Sequence, residues 1–145
     1  MTTETLTFRV EPSDLSTPLQ LSVWLNDQCC LPTTTITEPL DFSTEIADDD
    51  DKQYNLKIVM SGKTDAHTKV DDQGNIVKDA LLMFEKFELM GIDIGQVVSK
   101  NAIYQHNHNG HSEDVNDKFF SSMGCNGTVE LAFNTPVYLW LLENL

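Results

Sequence analysis

Two apolar segments with a period of two residues constrain the fold of this chain more than any other feature. The first runs from Leu56 to Met60, and the second runs from Ala80 to Leu89. Turn-forming residues separate them, at positions 61–63 and 71–75. Alternation of this kind between turn residues is typical of antiparallel strands with one buried face and one solvated face. We therefore expect an all-β protein, and no catalytic motif stands out from the pattern.

Further strands are predicted along the chain from alternating or β-branched residues, at positions 6–10, 19–25, 33–37, 42–46, 97–104 and 128–133. The Thr-rich segment 33–37 fits an edge strand, and residues 105–117 fit a long polar loop. Residues 80–90 also fit a helix, although their alternation favours a strand, and residues 137–144 fit either a strand or a short helix. Short strands with frequent turns predict one antiparallel β-sandwich or jelly-roll domain over residues 1–145.

Charge narrows the classes of partner. The 145 residues carry a formal net charge of −14, and Arg9 is the only arginine. Nucleic acids and anionic membranes are bound through clustered basic residues, so neither is expected as a partner. Acidity of this kind favours solubility and cation binding.

The cysteines and the N-terminus bear on the compartment. Cys29 and Cys30 are adjacent and Cys125 is distant, which is no secretory disulfide framework. Buried free thiols are the favoured interpretation, and a bridge from one of the pair to Cys125 stays open as the alternative. The first residues lack the charge and apolar core of a signal peptide, and no run approaches the roughly 20 apolar residues of a membrane span. We expect synthesis and folding in cytoplasm.

A histidine-rich segment is the first candidate metal site. On an extended backbone His106 and His108 project to the same side, which suits two imidazoles on one transition metal. Glu113, Asp114 and Asp117 follow closely enough to add an oxygen ligand. The alternative is a polar loop that contains histidines without a metal.

An acidic run is the second candidate metal site. Asp48, Asp49, Asp50 and Asp51 could offer carboxylates to Ca²⁺, which takes six to eight oxygen ligands. Their spacing does not match a helix–loop–helix calcium site. The alternative is a solvated loop that holds four like charges apart in water.

The same histidine-rich region offers candidate ligand-binding residues. Tyr104 lies beside it and is predicted to be the best exposed aromatic for stacking on a sugar ring, with Asn107 and Asn109 as polar contacts. Cys125 lies within sequence reach of the histidines, and Asp117 could orient one of them. No nucleophile elbow accompanies these residues, so we expect no enzymatic activity.

Segments 56–63, 70–79, 87–94, 123–127 and 135–144 resemble small β-sandwich proteins of large tailed phages, notably those of marine cyanobacteria. The resemblance covers residues 54–145. Within it, the order of strand, glycine, aspartate and strand is similar to calcium-dependent carbohydrate-binding modules.

The resemblance implies a non-enzymatic phage protein of carbohydrate-binding type, made in the host cytoplasm and acting in the virion or in host-surface recognition. Its implied cofactor is Ca²⁺, and its implied partners are a surface glycan or other virion proteins. Self-association into a homo-oligomer stays open. The alternative is a structural decoration or connector protein without a ligand site, whose edge strands pair with neighbouring subunits.

Overall fold

The computed structural model describes residues 2–14 and 18–145, and strands dominate this part of the chain. The strands are β1 (Thr3–Pro12), β2 (Leu19–Leu25), β3 (Gln28–Ile36), β4 (Leu40–Ala47), β5 (Gln53–Ser61), β6 (Thr68–Val70), β7 (Ile76–Asp79), β8 (Leu82–Leu89), β9 (Ile92–Asp93), β10 (Ile103–His106), β11 (Val115–Lys118), β12 (Ser122–Met123) and β13 (Gly127–Asn134). The helices are α1 (Gly95–Asn101) and α2 (Val137–Asn144).

Two antiparallel sheets form the body of the fold. One has the order β11-β10-β13-β5-β2-β3, and the other has the order β12-β8-β1-β4 with β9 paired to β8. The short β6–β7 hairpin pairs only with itself. This arrangement confirms the predicted antiparallel all-β sandwich.

The core lies between the two sheets because each long strand alternates buried and exposed residues. In β13 the buried residues are Val129, Leu131 and Phe133, and an exposed residue follows each of them. The facing sheet contributes a group of phenylalanines, in which the rings of Phe8 and Phe42 stack with centroids 4.8 Å apart. Aromatic packing of this kind adds to the stability that burial of apolar area provides.

Several individual strand predictions are also confirmed. The Thr-rich segment belongs to β3 at the edge of its sheet, and β5 lies in the sheet interior. Residues 80–90 contain strand β8, as the alternation favoured. The ambiguous C-terminal segment is the helix α2.

The predicted strand over residues 97–104 is wrong, because residues 95–101 form helix α1 and β10 begins only at Ile103. Val97 and Val98 are both buried, and neighbouring residues on a strand point to opposite faces. A short helix packed on the sandwich buries both. The carboxylate of Asp93 accepts a hydrogen bond from the Gly95 N–H at 2.8 Å where this helix begins. The predicted loop over residues 105–117 is also too long, since His106 belongs to β10 and Val115–Lys118 forms β11.

All three cysteines are free thiols. Cys29 is exposed, which corrects the expectation that it is buried, while Cys30 and Cys125 are partly buried. Within the described ranges, neither helix has the length and apolar character that crossing a membrane requires.

Candidate metal centre

Three neighbouring strands at one edge of the six-stranded sheet position the candidate site. In the antiparallel β10–β13 pair, His106 lies opposite Gly127. The pairing ends there. His108 begins a short 3-10 turn, His108–Gly110, and has a φ of 53°, so the expectation that it lies on extended backbone is wrong, and Cys125 lies in the bend that precedes β13. On the other side of β10, Asp117 lies opposite Tyr104 and therefore diagonal to His106 on the same face.

A glycine permits the close approach of β13 to β10. A Cβ atom at Gly127 would lie 2.3 Å from the Gln105 carbonyl oxygen and 2.9 Å from His106 Cβ. Real Cβ atoms do not approach backbone atoms this closely, so any larger residue forces the strands apart. Gly127 therefore supports the position of His106.

A tyrosine holds the segment that carries Cys125. The Tyr104 hydroxyl accepts a hydrogen bond from the Cys125 N–H at 2.8 Å and donates one to the Cys125 carbonyl oxygen. Burial raises the pKa of Tyr104, which keeps the hydroxyl neutral and able to donate. Only 7% of Tyr104 is exposed, so the predicted exposed aromatic for sugar stacking is wrong. Its role in the structure is to fix Cys125 beside the histidines.

His106 is oriented from both ring nitrogens, and 8% of the residue is exposed. Its Nε2 lies 2.7 Å from a carboxylate oxygen of Asp117, and its Nδ1 accepts a 3.3 Å hydrogen bond from the His108 backbone N–H. Both contacts place the ring proton on Nε2. This leaves the Nδ1 lone pair facing His108, whose ring packs edge-on to that of His106 with centroids 4.7 Å apart.

His106, His108 and Cys125 form a cluster, which we call the His–Cys cluster. One potential ligand atom from each lies within 4.8 Å of the other two. Metal–ligand bonds of about 2.0–2.3 Å in a tetrahedral site separate ligand atoms by roughly 3.5 Å. Closing the cluster around an ion therefore needs movements of about 1 Å, which the exposed His108 side chain can supply. No second cluster of three such residues occurs in residues 2–14 and 18–145.

The environment of Cys125 disfavours a free thiolate. Burial raises the pKa of the Cys125 thiol, and the nearby Lys63 ammonium only partly opposes this effect. A metal ion would displace the thiol proton, since coordinating thiols are deprotonated.

A buried ion pair supports the segment from the side opposite Tyr104. The Lys63 side chain is 2% exposed, and its ammonium lies 2.6 Å from an Asp79 carboxylate oxygen while also donating to the Gly124 carbonyl. Thr68 donates to the same Asp79 oxygen at 2.7 Å. Asn126 and the Lys63 backbone exchange two hydrogen bonds of 2.9 Å. These contacts hold residues 124–126 in place without using Cys125 Sγ.

Two cavities flank Cys125. One, of about 500 Å³, is lined by the three cluster residues together with Tyr104, Asp117, Lys118, Phe120, Ser122 and Gly124. The other, of about 460 Å³, is lined by His108, Cys125, Asn109, His111, Lys63 and neighbouring residues of the β6–β7 hairpin. The cluster is therefore accessible to a small ligand.

The remaining polar residues of the histidine-rich segment stabilise its conformation. Asn107 Oδ1 accepts from the Gly110 N–H at 2.8 Å, and Asn109 Oδ1 accepts from the Asn126 N–H at 2.8 Å. His111 Nε2 lies 2.8 Å from an Asp65 carboxylate oxygen, away from the His–Cys cluster. Ligand binding by Asn107 and Asn109 stays a prediction.

The acidic run Asp48–Asp51 does not converge into a metal cluster. Asp48 Oδ1 accepts from the Val137 N–H at 2.7 Å, at the beginning of α2. Asp49 Oδ2 pairs with Lys52 Nζ at 3.0 Å. A calcium site at this loop therefore stays a prediction without supporting contacts.

The sequence predicts His106 and His108 as ligands, but it indicates Cys125 only as a candidate nucleophile or disulfide partner. For Asp117 the sequence predicts either an oxygen ligand or a group that orients a histidine, and in the structure Asp117 orients His106. The available signal was the glycine pair flanking Cys125, which marks a close backbone approach.

Comparison of the chain with protein-family models, curated proteins and solved structures finds no match.

Proposed function

We propose that this protein is a non-enzymatic binding module that holds a transition-metal ion, preferentially Zn²⁺, at the His–Cys cluster. The observation that supports this proposal is the convergence of His106 at the end of β10, His108 in the turn that follows and Cys125 in the bend before β13, with ligand atoms within 4.8 Å of one another. We further propose that the module acts in recognition or assembly, with a surface glycan or other virion proteins as its partners.

The donor atoms favour a transition metal over calcium. Two imidazole nitrogens and one thiolate suit Zn²⁺ and related ions, whereas Ca²⁺ takes oxygen ligands. The contact of His106 Nε2 with Asp117 supports the same choice. Histidine ligands in metal sites commonly donate their second ring N–H to a carboxylate, which orients the ring and raises its basicity.

The arrangement of Asp117, His106 and Cys125 also resembles a catalytic triad of aspartate, histidine and cysteine. The electrostatics of Cys125 disfavour catalysis. A catalytic cysteine needs a lowered pKa to form a thiolate. Burial instead raises the pKa of Cys125. The same lone pair on His106 Nδ1 would accept the thiol proton or bind the metal, and in either case the 3.3 Å hydrogen bond from the His108 N–H must break. Metal binding uses these groups without needing a thiolate in the metal-free protein.

The test is thermal unfolding of the metal-stripped protein with Zn²⁺ and, separately, with Ca²⁺. An ion that binds only the native state at 100 times its dissociation constant stabilises it by about 2.7 kcal/mol. For a domain of this size we expect a rise in melting temperature of roughly 5–10 °C with Zn²⁺.

Two cysteine variants provide the matched control. Cys125→Ser should abolish the Zn²⁺ shift, because a serine hydroxyl is a poor zinc ligand. Cys30→Ser, which changes a partly buried cysteine in β3, should leave it intact. An equal Zn²⁺ shift in both variants would contradict the proposal. A shift with Ca²⁺ alone would contradict it too and would point to the acidic loop instead.

A further inference from the structure

We propose that the metal ion at the His–Cys cluster keeps one coordination position open, and that this position binds the carboxylate of a small acidic ligand. The inference rests on the proposed metal function. Zinc takes four ligands in most sites. Across the described ranges, three side chains contribute ligand atoms to the cluster. One position is therefore left for a group outside the cluster.

The nearest alternative donors are engaged elsewhere. Asp117 Oδ2 lies 2.7 Å from His106 Nε2, on the side of the ring away from Nδ1. His111 Nε2 lies 2.8 Å from Asp65 Oδ1, and neither residue belongs to the cluster. Bringing either side chain to the metal would break a contact that the fold already makes. The fourth ligand is thus expected from solution.

The larger cavity supplies the access that such a ligand needs. Its volume of about 500 Å³ lies within the range of about 300–1,000 Å³ that is typical of small-molecule sites. Because His106, His108 and Cys125 all line it, a ligand in this cavity reaches the metal directly. A site closed by four protein ligands would not present all of its donors to one open cavity.

Charge identifies the class of ligand. A divalent ion with one thiolate and two neutral imidazoles retains a net charge of about +1. The Asp117 carboxylate and the Lys118 ammonium line the same cavity and have opposite charges, so the charge of the metal centre is left over. Because the chain as a whole carries a formal net charge of −14, this centre would be a local positive site on an acidic protein. A carboxylate neutralises a single positive charge, whereas a phosphate group carries closer to two negative charges at neutral pH.

The cavity wall fits the remainder of a small carboxylic acid. Ser122 lines it and has a hydroxyl that can donate to the second carboxylate oxygen. Phe120 lines the cavity as well, and 74% of this residue is exposed. Its neighbour Phe119 is fully buried. An exposed aromatic ring beside a metal gives the carbon skeleton of a ligand an apolar surface. The same carboxylate chemistry occurs in free organic acids and in acidic sugars.

The experiment uses Co²⁺ in place of Zn²⁺ in the full chain, because the visible bands of Co²⁺ report its coordination number and its thiolate band reports Cys125. Acetate should change the visible bands in a saturable way, and acetamide, its neutral isostere, should not. Titrations with phenylacetate and with glucuronate, with glucose as the neutral control, distinguish the two sources. Tighter binding of glucuronate than of acetate would indicate an acidic sugar, and tighter binding of phenylacetate would indicate an organic acid.

A pair of equally exposed apolar residues tests the position of the ligand. Phe120→Ala should weaken phenylacetate binding about threefold to tenfold and leave acetate binding unchanged. Leu142→Ala, at an equally exposed position in α2, should change neither. Cobalt and thiolate bands that do not respond to acetate would overturn the open-position proposal while the metal function stands. Absence of any cobalt bands would overturn both.

Discussion

The acidic loop Asp48–Lys52 and the segment His106–His111 are both rich in metal-ligating side chains, yet they use those side chains differently. In the acidic loop, Asp48 caps helix α2 and Asp49 pairs with Lys52. In the histidine-rich segment, His106 and His108 meet Cys125 where the β10–β13 pair ends. The acidic loop uses its carboxylates on separate partners, the Val137 N–H and the Lys52 ammonium, whereas two histidines of the other segment point to a shared position beside Cys125.

A high local content of metal-ligating residues therefore does not by itself make a metal site. Four consecutive aspartates repel one another and separate unless other elements oppose them. The His–Cys cluster is instead assembled at the end of a strand pair, because the antiparallel pairing of β10 with β13 brings together the segment that follows β10 and the segment that precedes β13. Substitutions confined to one loop at a time show which of the two binds metal.

The largest effect is expected from Gly127→Ala, which acts on the strand pair beneath the cluster. The added Cβ would lie 2.3 Å from the Gln105 carbonyl oxygen, so the strands must separate. Overpacking of this kind costs about 3 kcal/mol of unfolding free energy, measurable by urea denaturation. The rise in melting temperature that Zn²⁺ causes should become smaller in the same variant.

Gly95→Ala is the matched control, since its Cβ would meet only the flexible Asp93 side chain at 3.2 Å. Its unfolding free energy should change by less than about 1 kcal/mol. If Gly127→Ala lowered the unfolding free energy no more than Gly95→Ala does, the close approach of β13 to β10 would not be what positions His106.

The second prediction compares the two loops directly as metal sites. A triple variant with Asp49→Asn, Asp50→Asn and Asp51→Asn should retain the Zn²⁺ stabilisation of about 2.7 kcal/mol at 100 times the dissociation constant. His108→Ala should lose it, because the cluster then has two donors. His111→Ala is the control, since this histidine pairs with Asp65 outside the cluster. Loss of the shift in the triple variant would transfer the site to the acidic loop.

The sequence predicts the sandwich because the long strands alternate regularly over many residues, as in β5 and β13. Helix α1 escapes prediction because its seven residues form two turns, too few to show a helical period. The His–Cys cluster is predictable only in part. His106 and His108 lie two positions apart in the sequence, whereas Cys125 follows His108 by 17 residues. Only the pairing of β10 with β13 brings their flanking segments together, and composition does not encode that pairing.

The third prediction concerns the buried hydroxyl that anchors the acidic loop. Thr135 is buried, and its Oγ1 donates to the Asp49 carbonyl oxygen and accepts from the Lys52 N–H at 3.1 Å. Thr135→Val keeps the shape and leaves these backbone groups without their partner, so unfolding free energy should fall by about 2 kcal/mol. Thr35→Val in the exposed edge strand β3 should change it by less than about 0.5 kcal/mol. Equal effects would show that the hydroxyl does not anchor the loop.

The smallest effect is expected at the surface ion pair of the acidic loop. The hydrogen bond and charge of Asp49 raise the pKa of Lys52 above its ordinary value. A lysine whose pKa is raised on folding stabilises the native state below its unfolded pKa of about 10.4 and loses this contribution as pH rises through the folded pKa. Lys52→Gln should therefore lower the melting temperature slightly at about pH 8, and the difference should shrink as the pH rises above the ordinary lysine pKa. Because both side chains are about half exposed, about 1 M salt should also remove the difference, and Asp49→Asn should leave Lys52→Gln without effect. A difference that persisted in salt would mean that Lys52 stabilises the loop through packing rather than through charge.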